Sequence, residues 1–323
     1  MSLIDELKEK IKVKQPSIVF PEGNDKRVLR AAVRLKDDGV LEPILLGTKE
    51  ELEEVAKKEG VDISKLEIID PLNFDKIDKL VEAFVERRKG KVNEEQAREI
   101  LKDHNYFGTM LVYLKKAEGL VSGAAHTTAD TVRPALQIIK TKPEYKRVSG
   151  AFLMLRDDEK YLMADCAINT DLDAEGLAEV AQVSNETAKS FGIDPKIAML
   201  SFSTKGSASH ERVDMVREAT ELAKKNNPDL CIDGELQFDA SFVPEVAKKK
   251  APDSVLKGEA NVFIFPNIEA GNIGYKLAQR FGGFEAVGPI LQGLNAPVND
   301  LSRGCVEDEV YLLAIITAAE AVL

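Results

Sequence analysis

Tryptophan is absent from this chain of 323 residues, and phenylalanine and tyrosine are sparse and scattered. Cysteine occurs only at Cys166, Cys231 and Cys305. An odd number of thiols without metal-site spacing predicts a reduced inventory in a cytoplasmic protein, not a disulfide framework or a metal centre. Neither a Gly-x-Gly-x-x-Gly fingerprint nor a Gly-x-x-x-x-Gly-Lys-Ser/Thr loop occurs, so no standard dinucleotide or P-loop site is signalled. His-Glu-x-x-His, Cys-x-x-Cys and Gly-x-Ser-x-Gly are missing too, so neither a metal site nor a nucleophile elbow is signalled. The most apolar stretch, Val310 to Leu323, is too short for a membrane span and contains Glu320. The opening MSLIDELKEKIKVKQ reads as an amphipathic helix, not a signal peptide. A net charge of −11 argues against a general nucleic-acid or membrane-surface protein.

What is present is ordinary for a soluble enzyme, with 44% hydrophobic and 31% charged residues in a chain long enough for two domains. Short apolar runs alternate with helical periodicity. Strands are expected at 17–20, 43–46, 66–70 and 119–122, with helices following Asp25 and Lys49 and at about 74–89 and 93–103. Around 141–147 the pattern changes. A hairpin through Arg156-Asp-Asp-Glu-Lys160 joins strands at 148–155 and 161–168. Alternation then resumes, with helices at about 174–191, 208–226 and 271–280 and strands at 197–200, 230–232, 260–265 and 286–291. Alternation at this pace predicts α/β architecture with mainly parallel sheets covered on both faces. The expected domains are 1–142 joined by 293–323, and 143–292. The Gly, Asn and Pro content near 293–300 marks the crossing, and a last helix runs from about 306.

Chemistry is concentrated in small polar loops after strands, where open α/β sheets place their sites. Gly119-Leu-Val-Ser-Gly-Ala-Ala-His-Thr-Thr-Ala-Asp-Thr-Val-Arg-Pro134 runs from a strand through Ser122 to His126, Thr127 and Arg133. It suits a substrate loop whose free N–H groups meet an anion, or an ordinary turn capped by Thr128 or Asp130. Ser201-Phe-Ser-Thr-Lys-Gly-Ser207 offers Ser203 and Lys205 to an anion, with helix capping by Ser207 the alternative. Glu269-Ala-Gly-Asn272 and Asp233-Gly-Glu235 sit similarly, and Glu86-Arg-Arg-Lys-Gly-Lys91 is a basic run within an acidic whole. Pro297-Val-Asn-Asp-Leu-Ser-Arg-Gly-Cys305 pairs the Ser302 hydroxyl with the Arg303 charge at a helix start, the parts needed to hold a phosphate or an oxyanion. The carboxylates of Val306-Glu-Asp-Glu309 are candidates for a general base, or simply acids favoured at a helix N-terminus.

Taken in order, these loops resemble the phosphate acetyltransferase (phosphotransacetylase) family along essentially the whole chain. The blocks carrying the resemblance are Phe20-Pro-Glu-Gly23, Ala83-Phe-Val-Glu-Arg-Arg-Lys-Gly90, Ser122-Gly-Ala-Ala-His126 and Asp130-Thr-Val-Arg-Pro-Ala135. They continue with Ser201 to Ser207, Asp233-Gly-Glu-Leu-Gln-Phe-Asp239, Ala270-Gly-Asn-Ile-Gly274 and Asn299-Asp-Leu-Ser-Arg-Gly-Cys305. The resemblance implies two three-layer α/β/α domains with a site in the cleft between them, an architecture shared with isocitrate and isopropylmalate dehydrogenases, usually in a homodimer. It implies reversible acetyl transfer between coenzyme A and phosphate, with coenzyme A as a substrate and no further cofactor.

Carried over by position, Ser302 and Arg303 match the family's catalytic pair, and Arg133 and Arg88 (or Arg87) its coenzyme A arginines. Where the family has Glu-Asp, with the Asp proposed as base, this chain reads Asp308-Glu309. Helix direction favours Glu309 over Asp308. Direct thiolate attack in a ternary complex is implied, and an acetyl-Cys305 route is the competing mechanism. A butyryl-preferring sibling, a dehydrogenase of the shared fold and a non-catalytic acetyl-CoA sensor are the alternatives.

Overall fold

The computed structural model describes residues 2–322; Met1 and Leu323, which end the two terminal helices expected from the sequence, lie outside the described residues. The strands are β1 Ser17–Phe20, β2 Glu42–Leu46, β3 Glu67–Ile69, β4 Gly119–Ser122, β5 Ser149–Arg156, β6 Glu159–Ala164, β7 Ile197–Leu200, β8 Ile232–Leu236, β9 Val262–Ile264, β10 Glu285–Gln292 and β11 Val298–Asp300. Contacts divide the chain into two compact units, one of residues up to Lys142 together with those from Leu294 onward, the other Pro143–Gly293.

The first unit holds a five-stranded sheet in the order β11-β4-β1-β2-β3, with every pair parallel. Ile18, Val19 and Phe20 are fully buried, as an apolar run without alternation requires. The helix Lys26–Asp37 starts where the Asp25 carboxylate accepts the Arg27 N–H at 2.9 Å, and it buries Val28, Leu29, Ala31, Ala32 and Leu35. Burying each of the larger ones contributes about 1.5–3 kcal/mol. The helix Glu307–Val322 is apolar nearly all round and buried from Val310 to Ala319 except at Leu312.

The second unit holds a six-stranded sheet in the order β10-β5-β6-β9-β7-β8. Its β6-β9-β7-β8 half is parallel and its β10-β5-β6 half antiparallel. Phe263 on β9 packs in the core against the rings of Tyr161, Phe238 and Phe242. Gly271 lies inside the helix Ile268–Gly282, where a Cβ would stand 2.2 Å from the Asp165 carbonyl oxygen, so only glycine lets this helix approach the backbone after β6.

Several elements differ from their sequence expectations. Residues 293–300 are not linker throughout, because Val298–Asp300 forms β11 beside β4. The strand expected at 230–232 is β8, displaced to Ile232–Leu236. β6 ends at Ala164 because the Asp165 carboxylate accepts N–H groups from Ala167, Ile168 and Asn169 and turns the chain away. Cys166 and Cys231 therefore lie just outside strands. A further helix, His104–Tyr113, precedes β4.

Candidate active site

β11, β4 and β1 are neighbours, so the chain leaves their carboxyl ends side by side. Asp300 is the register partner of Ser122, and the loops 301–305 and 123–127 start from these two adjacent residues. Gly123 sits at φ +105°, and a Cβ there would meet the Asp300 carboxylate at 2.4 Å. That close approach brings the two loops together.

The connection after β1 holds both loops. Glu22, 3% exposed, accepts the N–H groups of Ala124 (2.7 Å), Ala125 (2.7 Å) and His126 (2.8 Å), and the His126 Nδ1 proton at 2.7 Å. Burial opposes the charge on Glu22, but the hydrogen bonds from His126 and the three amides prevail and hold the carboxyl below its ordinary range. The same contact, against a burial cost, raises the basicity of His126. The amides expected to meet an anion are therefore spent on an internal carboxylate. The imidazole, half-exposed, is what this turn presents outward.

Arg27 clamps the other loop. Its Nη1 donates to the Arg303 and Cys305 carbonyls at 2.9 Å each, and its Nη2 to the Ala124 carbonyl at 2.7 Å. Nε and Nη2 also bind both Asp25 oxygens. One guanidinium thus sets the 303–305 turn against the 123–126 turn. Sequence reasoning missed both Glu22 and Arg27; the available signal for Glu22 was the Phe20-Pro-Glu-Gly23 block.

Ser302 and Arg303 are exposed. The Ser302 Oγ accepts the Gly304 N–H at 3.3 Å, leaving its own proton to donate. The Arg303 guanidinium has no partner among the described residues, so this fixed positive charge is uncommitted. Of the carboxylates in the next turn, Glu307 binds Arg30 and Arg34, and Asp308 is drawn to Arg34 at 2.6 Å. Glu309 instead accepts the Val306 N–H at 3.1 Å and pairs with no cation among the described residues. Cys305 is buried, and burial pushes its thiol up to about 11, the nearby Arg27 charge opposing.

Ser122 is fully buried and faces no solvent, a correction to its expected place among substrate contacts. Its hydroxyl, that of Thr131 and both Asp300 oxygens are buried without hydrogen-bonded partners among the described residues. Burial pushes Asp300 up to about 6, with the Thr128 and Thr131 hydroxyls near enough to moderate the effect. The helix cap is Thr127, not Thr128 or Asp130: Asp130 accepts the Thr127 N–H at 3.0 Å and its hydroxyl at 2.7 Å.

Arg133 is exposed in the last turn of the helix Thr128–Pro134, and both it and Arg88 act electrostatically on the Tyr106 phenol, which places the two cations in one neighbourhood. Arg87 is a different case. It donates to the Ile138 (2.6 Å) and Ile139 (3.0 Å) carbonyls and closes that end of the chain turn. Of the adjacent pair, Arg88 has no hydrogen-bond or ion-pair partner among the described residues, its Nε being buried.

In the second unit, Ser203 is fully buried and donates to Glu235 at 3.0 Å, while Lys205 binds Asp233 at 2.5 Å and the Gly234 carbonyl at 2.9 Å. Glu235 also accepts the Gly206 N–H at 2.7 Å. Burial opposes ionisation of both acids, yet Lys205 for Asp233 and the Gly206 amide for Glu235 hold them below their ordinary range. The β8 acids therefore consume the groups that the sequence offered to an anion. Asn272 lies in a helix, donating to the Cys166 carbonyl at 3.1 Å and accepting from Lys276 at 2.8 Å. Among the described residues no group of three His, Cys, Asp or Glu side chains is arranged to hold a metal.

The family model described as phosphate acetyl/butaryl transferase matches residues 2–318. Phosphate acetyltransferases of Staphylococcus epidermidis and Bacillus subtilis are each 59% identical, the first over 99% of this chain and 98% of its own length, the second over 99% of both. A phosphotransacetylase structure from Streptococcus pyogenes superimposes with a TM-score of 0.94 at 61% identity, over 99% of this chain and 98% of that one. A branched-chain phosphotransacylase of Enterococcus faecalis, 18% identical with a TM-score of 0.71 over 95% of this chain and 99% of its own, shares the fold. A match of this extent, in sequence and in structure, means that the chain belongs to the phosphate acetyl/butaryl transferase family.

Proposed function

We propose that this protein is a phosphate acetyltransferase, which transfers acetyl reversibly between coenzyme A and inorganic phosphate. The relatives' names support the reaction, and the observation that carries it to particular atoms is the exposed Ser302-Arg303 turn with its uncommitted guanidinium. In the direction of thioester formation, Glu309 takes the coenzyme A thiol proton. The sulfur attacks the carbonyl carbon of acetyl phosphate, and the carbon–oxygen bond to phosphate breaks. Ser302 donates its free proton to the carbonyl oxygen while charge develops there, and Arg303 neutralises the departing phosphate. His126, made more basic by Glu22, orients the acyl phosphate, with Thr127 beside it. Arg88 and Arg133 take the phosphates of coenzyme A. Ser203, Lys205 and Asn272 support their loops from within.

A free thiol titrates near about 8.5, so a base within reach supplies thiolate that neutral solution lacks. The raised Cys305 thiol supports direct transfer over an acetyl-cysteine route. No described helix is long and apolar enough to cross a membrane, which fits a cytoplasmic enzyme acting on small molecules. A homodimer is supported by an exposed apolar stripe, Ile273, Leu277 and Phe281, at successive helical turns of Ile268–Gly282. The deciding experiment follows thioester absorbance from purified protein with coenzyme A and acetyl, propanoyl or butanoyl phosphate. Rapid turnover with acetyl phosphate, reduced at least ~100-fold in Arg303→Ala, is expected. Turnover with butanoyl phosphate alone, or a variant as active as the parent, overturns the reading.

A further inference from the structure

The basic run that stands out in the sequence supplies more cations than the reaction above uses. Arg87 and Arg88 close the helix Ile77–Arg88, and Lys89 and Lys91 follow, exposed, in the turn beyond it. Arg87 is held firmly there. It donates to the Ile138 and Ile139 carbonyls at 2.6 and 3.0 Å, and its guanidinium lies 4.9 Å over the Tyr113 ring. These bonds seat the helix end against the residue that follows, Lys140.

Lys140 is fixed at its base. Its N–H donates to the Ala135 carbonyl at 2.9 Å, and its carbonyl accepts the Asn295 N–H at 3.0 Å. The Asn295 side-chain amide also donates to the carbonyls of Lys140 (3.1 Å) and Thr141 (2.6 Å). The Lys140 side chain, half-exposed, has no acidic partner among the described residues, and neither have Lys89 and Lys91. Arg87, Arg88, Lys89, Lys91 and Lys140 therefore form one cluster of cations in a chain whose net charge is −11.

Such a cluster acts on an amine and on an anion in opposite ways. Arg87 first, then burial, Lys89, Arg88 and Lys91 lower the Lys140 ammonium below its ordinary 10.5, so more of the amine is neutral and nucleophilic. The same charges draw in a phosphate dianion and stabilise it as it leaves. A neutral amine among phosphate-binding cations favours acyl transfer from an acyl phosphate to nitrogen.

We infer that Lys140 is an acetylation site, modified by the acetyl phosphate that the protein handles. The presence of that donor rests on the acetyl-transfer reading; the cation cluster does not. The Lys140 Nζ attacks the carbonyl carbon of acetyl phosphate, the carbon–oxygen bond to phosphate breaks, and phosphate leaves with the electron pair. The proton lost by nitrogen goes to the leaving group, which departs as hydrogen phosphate. The amide formed carries no charge, so acetylation removes one of the cations beside Arg88. Accumulated acetyl phosphate thereby weakens the binding of coenzyme A, whose phosphates Arg88 receives.

The test is peptide mass spectrometry of the full chain incubated with acetyl phosphate alone, which needs no turnover. Lys58, exposed and paired with Glu54 at 2.6 Å, is the internal reference. Lys140 should acquire acetyl at least ~10-fold faster, the low end of what a charged surface gains for an anion. The double variant Lys89→Gln/Lys91→Gln should lose most of that advantage. Equal rates at Lys140 and Lys58, or an advantage that the double variant keeps, overturns the inference. Acetyl-CoA is the second donor, and faster acetylation by the thioester overturns the assignment to acetyl phosphate. After treatment, the KM for coenzyme A should rise about two- to five-fold, the scale of one exposed charge pair, with kcat nearly unchanged. Lys140→Arg keeps the charge without the amine, so its KM should survive the same treatment. An equal rise in that variant places the effect on other lysines and overturns the link to coenzyme A. If Lys140 is acetylated rapidly in a protein that forms no thioester, the acetyl-transfer reading falls and the modification site stands.

Discussion

His126 Nδ1 lies 2.7 Å from a Glu22 oxygen that also accepts two backbone amides of the same turn. The imidazole is therefore anchored by a buried carboxylate, and its outward nitrogen is set by a residue 104 positions earlier. Stability should depend on pH through both partners. Glu22 is depressed below 4.5, so its contribution is present above that value and is lost as pH falls through the folded-state pKa. His126 is raised above 6.5, so its contribution is present below that value and is lost as pH rises through the folded-state pKa. The pair contributes fully between these limits. Glu22→Gln places an amide donor against three N–H donors, and a loss of about 2–3 kcal/mol is expected. Melting curves across pH, with His126 titrated by NMR, check both statements; an unchanged His126 pKa in the variant would falsify the coupling.

Cys305 should be chemically quiet. With its thiol pushed up to about 11, roughly a thousandth is ionised at pH 8. Cys305→Ser is expected to retain turnover within a few fold, and the parent should resist iodoacetamide under conditions that label an exposed thiol. Loss of activity by orders of magnitude in a folded Cys305→Ser protein would restore the acetyl-cysteine route.

Asp300 has the opposite pH signature from Glu22. Its folded-state value of about 6 lies above the ordinary 3.8, so the folded protein holds this proton more tightly than the unfolded chain does. The resulting penalty is absent below 3.8, grows between the two values and is full above about 6, where it amounts to about 3 kcal/mol. Asp300→Asn, of equal size and neutral, should therefore raise the melting temperature at pH 8. The gain should shrink as pH approaches 4. A variant less stable at pH 8 would show that the carboxylate is compensated by a partner and that its burial carries no net cost.

Elements were legible where the chain is apolar on its own account. Ser17–Phe20, Gly119–Ser122 and Ile197–Leu200 are strands over the residues their composition predicts. β8 and β11 were not, because their buried polar residues are tolerated only through distant partners: Lys205 and Arg217 for Asp233 and Glu235, Thr317 for Asn299. The helix His104–Tyr113 escaped because it is buried nearly all round and has no periodic face. The same distinction runs through the site. Polar loops after strands stand out in one dimension, and so does Ser302-Arg303. Nothing near Arg27 in sequence tells that its guanidinium will hold a carbonyl 276 residues away.

The reversed Asp308-Glu309 pair carries the sharpest mechanistic prediction. Both acids sit in the first turn of Glu307–Val322, but Asp308 Oδ1 is 2.6 Å from Arg34 on the helix Lys26–Asp37, whereas Glu309 turns back to the Val306 amide, next to Cys305. An acid committed to a cation must break that ion pair before it can reach a substrate, and one held on a loop amide can swing to a substrate thiol by exchanging a single hydrogen bond. Glu309→Gln should lower kcat by about 10²–10⁴, the usual worth of a general base, while the melting temperature changes little. Asp308→Asn should remain within a few fold. The pH profiles supply the independent check: the acidic limb of kcat/KM should vanish in Glu309→Gln and persist in Asp308→Asn. If the two variants exchange these behaviours, the helix start must rotate on substrate binding, Arg34 must release Asp308, and the shorter acid is the base.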